Sequence, residues 1–530
     1  MNRLIRKLAQ CHAGWLGPAA ATLWALSAAT APAEVRLHHL FQDHMVLQRG
    51  VKCPVYGWAA PGEEIAVAVA GRKGSARAAA DGRWRVELEP MPAGGPFELT
   101  AKGGNAIVLR DVLVGDVWLC AGQSNMDREM ARDGESNDVA RAQLPNLRLF
   151  RVATAVAYRR REDLQGAWAA AAPASVASFS AVGFYFGRAL QPHLGVPVGL
   201  IQATEGGTRI QSWMYHETLA ADPRFKAFSE DWLKALATYP DYEARFDEYH
   251  AQWQKAIADY QAQMARYAEE VKQAEATGKP KPAAPAVPGG PFSRRPNPSI
   301  LYAGMIAPLT GFPLKGVLWY QGEGNIGSPY RDLLAAMIGE WRAEWHNPDL
   351  PFLVVQLPRC GPPPSDPNLP AAWAALREEQ MQVARSVPHV GLSVNIDLGA
   401  SNDIHPRPKA PYGERLALAA RGSVYGEKIE YTGPVFRDMA VDGGKARLRF
   451  DHIGVGLVTS EGQPVKGFAI AGADGKFVWA DAKVEGDAVV VWSGAVAAPK
   501  AVRYAWADYP VCNLFSREGL PVAPFRTDVP

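Results

Sequence analysis

The sequence has few cysteines, no excess of one charge and no long apolar run beyond its N-terminus. Five cysteines in 530 residues, none close to another, exclude a small disulfide scaffold and a Cys-x-x-Cys metal or redox site. A formal net charge of +2 provides no one-signed field for a nucleic acid partner. No later stretch approaches the roughly 18 apolar residues of a membrane span. We therefore expect a soluble chain with no nucleic acid partner and no membrane span.

What is present is the composition of a globular protein. Hydrophobic residues make up 48% and charged residues 21% of the chain, which excludes disordered, collagen-like and coiled-coil proteins. The length predicts two to four domains. The 16 Trp, 17 Tyr and 18 Phe mostly fill cores, although proteins that handle sugars also carry many aromatic residues.

The first 33 residues have the pattern of a secretory signal. A basic start is followed by an apolar, small-residue stretch over 15–31 and an A-x-A site that ends at Ala33. We expect cleavage before Glu34 and export to the periplasm or the medium. The remaining chain has four cysteines, which allow one disulfide.

The rest of the chain divides into three regions that differ in the spacing of their apolar residues. Short apolar runs separated by turn residues predict β-sandwich-like regions at 34–110 and 426–530. Between them, residues 111–425 alternate apolar strands with helical patterns, which predicts an α/β domain with a parallel sheet. An insertion at 217–299 interrupts this domain.

Five strands are predicted for the sheet, and each is an almost continuous apolar run, as in strands buried on both faces. The strands are Asp116–Ala121, Pro197–Ala203, Lys315–Tyr320, Pro351–Leu357 and Val390–Asp397. Helices are predicted between them at Ser178–Leu194, Tyr330–Trp345, Leu369–Ser386 and Pro411–Arg421.

The insertion contains a helical stripe. Apolar residues recur every three or four positions from Tyr242 to Val271, which predicts a helix of about 45 Å. Residues 278–298 are rich in Pro and Gly and predict an extended linker. The stripe is typical of packing against a second helix or the domain wall, and a lid over the substrate is the other interpretation.

Polar side chains or a glycine turn that could form a site follow four of the five strands. Ligands of open α/β sheets bind beyond the carboxyl ends of the strands, so these groups should converge. They are Ser124 after the first strand, Gly206 and Gly207 after the second, Gln321 and Glu323 after the third, and Asp403 and His405 after the fifth.

This set of groups indicates a hydrolase. A serine hydroxyl needs a base at neutral pH, and His405 is the candidate base for Ser124. Asp403 would hold the imidazole in the required tautomer. Backbone N–H groups of Ser124 and of the Gly206-Gly207 turn could stabilise a tetrahedral oxyanion, with a side-chain amide adding to them. No cofactor and no metal site are predicted.

At these residues the chain resembles the sialate O-acetylesterase-like carbohydrate esterases of the SGNH hydrolase superfamily. The matching stretches are 115–126 (GDVWLCAGQSNM), Gly206-Gly207-Thr208 with Trp213, 319–323 (WYQGE), Ile404-His405-Pro406 with Lys409, and 510–514 (PVCNL). The resemblance implies an SGNH-type, flavodoxin-like five-stranded sheet and removal of acetyl groups from O-acetylated sugars without metal. It implies Ser124 as nucleophile and His405 as base.

The sequence departs from the family pattern in two places. The superfamily usually has its acid three residues before the histidine, where this chain has Asn402, so Asp403 shares the candidacy with Asp397 and Glu323. The asparagine that stabilises the oxyanion in the superfamily is not evident, and the motif in which it would stand contains Gln321 instead.

Other functions remain as alternatives. One is a carbohydrate-binding protein with an inactive hydrolase domain, and another is a glycosidase with Glu205 and Glu323 as paired carboxylates. A metal site at His38, His39 and His44 is the weakest of the alternatives. The sequence leaves open whether the sugar is sialic acid or a hemicellulose oligosaccharide, and it leaves open the oligomeric state.

Overall fold

The computed structural model describes residues 34–238, 245–286, 288 and 298–528. The predicted signal sequence lies outside this range, and its prediction stands untested. The described cysteines, two buried and two half-buried, are all free thiols, so the permitted disulfide is not formed among them.

The N-terminal region forms two small sheets. Their strands are β1 (Arg36–Leu37), β2 (Val46–Gln48), β3 (Cys53–Trp58), β4 (Glu64–Val69), β5 (Arg72–Arg77), β6 (Arg83–Leu88), β7 (Gly94–Lys102) and β8 (Ala106–Gly122). One sheet has the order β1-β3-β6. In the other, β5 pairs with β4, β4 pairs with β7, and β7 pairs with the first half of β8. Strand β6 alternates strictly between exposed and buried residues, as expected of a strand with one face on a core.

Strand β8 joins this region to the central sheet. It is 17 residues long and runs through the predicted domain boundary at 110/111. Its first half pairs with β7 and its second half with parallel strands of the central sheet. The N-terminal region therefore shares a strand with the part of the molecule that carries the site.

The central sheet contains all five predicted strands. Besides β8 its strands are β9 (Leu144–Val152), β10 (Gly166–Ala171), β11 (Val198–Thr204), β12 (Gly316–Tyr320), β13 (Phe352–Val355) and β15 (Val390–Ser393). The order is β10-β9-β11-β8-β12-β13-β15. The five predicted strands thus have the order 2-1-3-4-5 of flavodoxin-like sheets. A short parallel pair, β14 (Arg359–Cys360) with β16 (Gly399–Ala400), lies beyond them.

The predicted count of five strands is wrong, because β9 extends the parallel sheet to six and β10 pairs antiparallel at its edge. Strand β9 contains Arg148, which breaks the apolar run, yet Arg148 is only 4% exposed. Its guanidinium donates to both carboxylate oxygens of Asp111, at 2.7 and 3.0 Å. A buried charge is tolerated when it is paired in this way, so the centre of the strand, residues 147–150, is buried despite its polar residue.

Helices flank the sheet at the predicted places. They are α1 (Ser124–Asp127), α2 (Met130–Asp133), α3 (Ser136–Ala140), α4 (Pro173–Ala177), α5 (Ala181–Leu194), α6 (His216–Ala221), α7 (Lys226–Thr238), α8 (Phe246–Thr277), α9 (Tyr330–Glu344), α10 (Ala372–Ser386) and α11 (Ala410–Ala419). Helix α5 starts later than predicted because the Ser180 hydroxyl caps it, accepting the N–H of Gly183 at 3.0 Å.

The long helix of the insertion is confirmed over its described residues. Helix α8 has 32 residues, and the stripe residues Ile257, Tyr260 and Val271 are half-buried while most of their neighbours are exposed. Tyr242 and most of the predicted linker lie outside the described residues. Over the described helices, none combines the length and apolar character needed to cross a membrane.

The C-terminal region is again composed of strands. They are β17 (Val435–Asp442), β18 (Lys445–Asp451), β19 (Leu457–Thr459), β20 (Phe468–Ala471), β21 (Phe477–Trp479), β22 (Asp481–Glu485), β23 (Ala488–Trp492), β24 (Ala501–Tyr504), β25 (Leu514–Ser516) and β26 (Phe525–Arg526). They form sheets of order β17-β18-β23-β22 and β21-β20-β24-β26 and the pair β19-β25.

Candidate active site

Ser124 stands on a tight turn at the carboxyl end of β8. Gly122, the last residue of the strand, has φ of +137°, and a Cβ there would lie 2.1 Å from the carbonyl oxygen of Tyr320 in the neighbouring strand. Only glycine permits both this conformation and this approach. The next N–H, of Gln123, donates to the same carbonyl at 3.0 Å. The turn is therefore held against β12, and the half-buried Ser124 begins α1.

His405 faces the serine. Its Nε2 lies 2.9 Å from Ser124 Oγ, a distance at which the hydroxyl can donate to a neutral imidazole. The histidine comes from the loop between β16 and α11, far from Ser124 in the chain. The structure thus brings the predicted nucleophile and the predicted base into contact.

Asp403 lies beside His405 but does not form the predicted hydrogen bond with its ring. Its Oδ1 accepts the backbone N–H of His405 at 2.8 Å and is 3.9 Å from ring Nδ1. The side chain is 51% exposed. Among the described residues no other carboxylate forms an ion pair with this imidazole within 4 Å.

The two other candidate acids are engaged elsewhere. Both carboxylate oxygens of Asp397 accept from the guanidinium of Arg415 at 2.7 Å. Glu323 Oε1 accepts from the side-chain amide of Asn125 at 2.6 Å. Of the three candidates, the geometry leaves Asp403 next to the imidazole.

The glycine turn after β11 lies against the serine. A Cβ built on Gly206 would stand 3.5 Å from the Cβ of Ser124, and Gly207 has φ of +70°. Behind the turn, the Thr208 hydroxyl donates to the carbonyl of Glu205 at 2.8 Å and accepts from the indole of Trp213 at 3.1 Å. These bonds hold the turn on the side away from Ser124, and no side chain of Gly206 or Gly207 separates the turn from the serine.

Gln321 is not placed to contact a substrate. Its side chain is fully buried, and its amide nitrogen donates to Gln123 Oε1 at 3.1 Å, to Asn325 Oδ1 at 2.7 Å and to the Thr208 carbonyl at 3.3 Å. The amide hydrogens are therefore already used. The interpretation of Gln321 as a direct oxyanion donor is corrected: it connects the three loops behind the site.

Two buried residues that were not predicted as site residues connect the two halves of the site. Asn125 donates from Nδ2 to Glu323 and to the carbonyl of Ile404, at 2.6 and 3.0 Å. Its Oδ1 accepts from Nζ of Lys409 at 2.6 Å. Asn125 is 1% and Lys409 0% exposed. This set, the Asn125 network, joins the nucleophile turn to the histidine loop; both residues stand in the family-like motifs, but no sequence pattern indicates a buried lysine.

Burial and nearby cations set the electrostatics of the site. Burial is the largest cause that lowers the pKa of Lys409, to about 8. The pKa of His405 is lowered from its ordinary 6.5 by burial and then by the charges of Arg128 and Lys409, against the opposing effect of Asp403. Burial raises the pKa of Glu323. The imidazole is therefore kept neutral at physiological pH, as a base must be.

These shifts predict the acid side of the pH profile. If His405 is the base, as the sequence predicts, only its neutral form can accept the serine proton, and activity is lost as pH falls through its pKa. Because that pKa is lowered, we expect half-maximal kcat/KM for 4-nitrophenyl acetate below pH 6.5. The measurement is a pH–rate profile corrected for uncatalysed hydrolysis. A midpoint at or above 6.5 would contradict the assigned environment of His405.

The three histidines considered as a metal site, His38, His39 and His44, do not form one. His39 Nδ1 lies 2.7 Å from Asp163, while His44 Nδ1 lies 2.7 Å from Asp111. Burial lowers the pKa of His38 to about 4. Over the described residues no group of three or more His, Cys, Asp or Glu side chains could hold a metal ion.

The fold and this serine–histidine pair are those of an esterase-like hydrolase, and comparison with known proteins gives the family. A family model described as carbohydrate esterase, sialic acid-specific acetylesterase, matches residues 114–278 and 290–420, more than half of the chain. The chain belongs to this family, which confirms the resemblance found in its motifs.

Relatives match over nearly their whole length. Mouse sialate O-acetylesterase is 28% identical over 93% of this chain and 94% of its own, and the human protein is 27% identical over 92% of each. A crystal structure of a carbohydrate acetylesterase from Xanthomonas citri is 38% identical, with a TM-score of 0.76 over 94% of this chain and 100% of that chain.

Proposed function

We propose that this chain is an exported carbohydrate O-acetylesterase that works through an acyl-enzyme on Ser124. The observation that carries the proposal is the 2.9 Å contact between Ser124 Oγ and His405 Nε2. A serine paired with a neutral histidine is an activated nucleophile. The division into regions at 34–110, 111–425 and 426–530 is part of the proposal.

The reaction proceeds in two steps. Ser124 Oγ attacks the acetyl carbonyl carbon while His405 Nε2 takes the serine proton. The tetrahedral intermediate collapses, the C–O bond to the sugar breaks, and the imidazolium returns the proton to the sugar oxygen. A water molecule, deprotonated by His405, then attacks the acetyl-serine. The bond from the acetyl carbon to Ser124 Oγ breaks, the imidazolium returns its proton to Oγ, and acetate leaves.

Backbone groups would stabilise the negative oxygen of each intermediate. Ser124 begins α1, so its N–H has no acceptor within the helix, and the Gly206-Gly207 turn faces the same side chain. These N–H groups are the proposed oxyanion donors. Gln321 supports them from behind by its bond to the Thr208 carbonyl.

Asp403 is the proposed orienting acid. Its Oδ1 stands 3.9 Å from Nδ1 of His405, and catalytic hydrogen bonds are often long without substrate. Closing this gap would fix the tautomer with Nδ1 protonated and Nε2 free to act on Ser124.

The proposed substrates are O-acetylated sugars, with sialic acids and hemicellulose oligosaccharides as the two classes. The curated relatives are named sialate O-acetylesterases, and the Xanthomonas citri protein is titled a carbohydrate acetylesterase. The glycosidase alternative loses support because Glu205 accepts from Thr154 at 2.9 Å and Glu323 from Asn125. The inactive, sugar-binding alternative conflicts with the intact serine–histidine contact.

The test is covalent labelling together with acetate release. A fluorophosphonate reacts with activated serines, so we expect mass spectrometry to find the label on the peptide with Ser124, and no label in the His405→Gln variant. Acetate release should be measured on acetylated xylo-oligosaccharide and on O-acetylated sialic acid. A wild-type protein that neither takes the label nor releases acetate would overturn the proposed function.

A further inference from the structure

The C-terminal region carries an open groove with a volume of about 310 Å³. It is formed where β20, β21 and the segment after β24 meet the loop that follows β14. Its lining includes Lys466, Trp479, Trp506 and Val511. We name this feature the tryptophan groove.

Two large apolar side chains are exposed together in the tryptophan groove. Trp479 is 47% and Val511 is 50% exposed, and both line it. Single exposed apolar residues are common, but a contiguous exposed patch marks a binding surface. Trp479 is the exposed last residue of β21, whose first residue, Phe477, is buried, so the indole ring lies outside the core.

The second tryptophan, Trp506, is held in place by a cation. The guanidinium of Arg526 lies 4.6 Å from the ring centroid of Trp506, a cation–π distance. Arg526 is itself fixed by Glu378, with nitrogen–oxygen distances of 2.8 to 3.1 Å. The tryptophan groove therefore offers a preorganised ring, which lowers the entropic cost of binding.

The tryptophan groove is connected to the active site through backbone contacts. The N–H of Cys360 donates to the carbonyl of Asp508 at 3.1 Å, and Cys360 pairs with Ala400 between β14 and β16. Ala400 lies three residues before Asp403. Burial and then the charges of Glu323 and Asp403 raise the pKa of the Cys360 thiol, which is consistent with this proximity.

The lining indicates the chemistry of the ligand. Among the described lining residues Lys466 alone is charged. These residues therefore do not provide the several cations that would favour an anionic sugar. Pyranose rings joined by equatorial bonds expose flat faces of C–H groups, which pack on indole rings, and hydroxyl edges that remain in water. Ligand sites generally combine apolar surface with few polar groups in this way.

We propose that the tryptophan groove is a subsite for neutral pyranose units of a β-1,4-linked oligosaccharide whose acetylated unit lies at Ser124. This inference rests on the proposed function and selects the hemicellulose class of substrate. It assigns the C-terminal region a share in substrate binding.

Binding is tested in the full chain with xylohexaose as the probe. Titration calorimetry should detect binding of xylohexaose and no binding of N-acetylneuraminic acid at the same concentration. Trp479→Ala should weaken binding at least about fivefold, since a large aromatic contact is removed, and Trp479→Phe should restore most of it. Val441→Ala, an equally exposed apolar position at 47%, is the control and should leave binding unchanged. Equal binding by wild type and Trp479→Ala would overturn the inference.

Kinetics separate this inference from the proposed function. With acetylated xylohexaose, Trp479→Ala should raise KM at least about fivefold with little change in kcat, and it should leave hydrolysis of 4-nitrophenyl acetate unchanged. If wild type hydrolyses the small ester but Trp479→Ala has an unchanged KM for the oligosaccharide, only the subsite is wrong. If wild type hydrolyses neither ester, the proposed function itself is wrong.

A second copy of the chain is the other possible occupant. Light scattering of wild type and Trp479→Ala at the same concentrations decides this. The same mass for both variants supports the sugar subsite, whereas a dimer that Trp479→Ala dissociates would overturn it.

Discussion

Ser124→Ala is expected to lower kcat by about 10⁴-fold or more while leaving the fold intact. The change removes the proposed nucleophile, and losses of this order follow when a nucleophile is deleted from such a site. The hydroxyl is half-buried and its partner is His405, so stability should shift little. The measurement is kcat for acetate release, with a melting curve to confirm folding.

A matched control is available for this variant. Ser136 is also the first residue of a short helix, α3, and is exposed. Ser136→Ala should retain wild-type activity. If Ser124→Ala kept more than a tenth of the wild-type kcat, Ser124 would not be the nucleophile.

Asp403→Asn is the second large expected effect. If the carboxylate orients His405, its replacement should lower kcat about 10³–10⁴-fold, because the amide no longer enforces the active tautomer or stabilises the imidazolium. The amide oxygen can still accept the backbone N–H of His405, which Asp403 Oδ1 now accepts at 2.8 Å. The variant therefore changes charge while it preserves the loop contact.

Asp366 provides the control for that contact. It makes the same local bond, accepting the N–H of Asn368 at 2.8 Å, in an exposed loop. Asp366→Asn should have no effect on kcat. A loss below tenfold in Asp403→Asn would show that Asp403 only shapes the loop and that His405 works without an acid partner.

Much of the site follows from local sequence. Continuous apolar runs placed five strands of the parallel sheet, and the rule that reactive groups follow such strands brought Ser124, the Gly206 turn and His405 to one end of it. Their contact, at 2.9 Å in the structure, joins loops whose strands are not adjacent, because β12 and β13 lie between β8 and β15. The parallel sheet placed both residues at the same edge, and the fold of the loop between β16 and α11 brought them together. The motifs in the same loops were enough to indicate the esterase family.

The sequence by itself determined the fold class, the candidates for the reactive residues and the long helix, because each leaves a periodic or local pattern. Only the tertiary structure decided the rest, since pairing through space leaves no such pattern. The centre of strand β9 can be buried because Arg148 pairs with Asp111. Gln321 is turned away from the substrate by acceptors on two other loops, and Lys409 is buried because Asn125, 284 positions away, accepts from it.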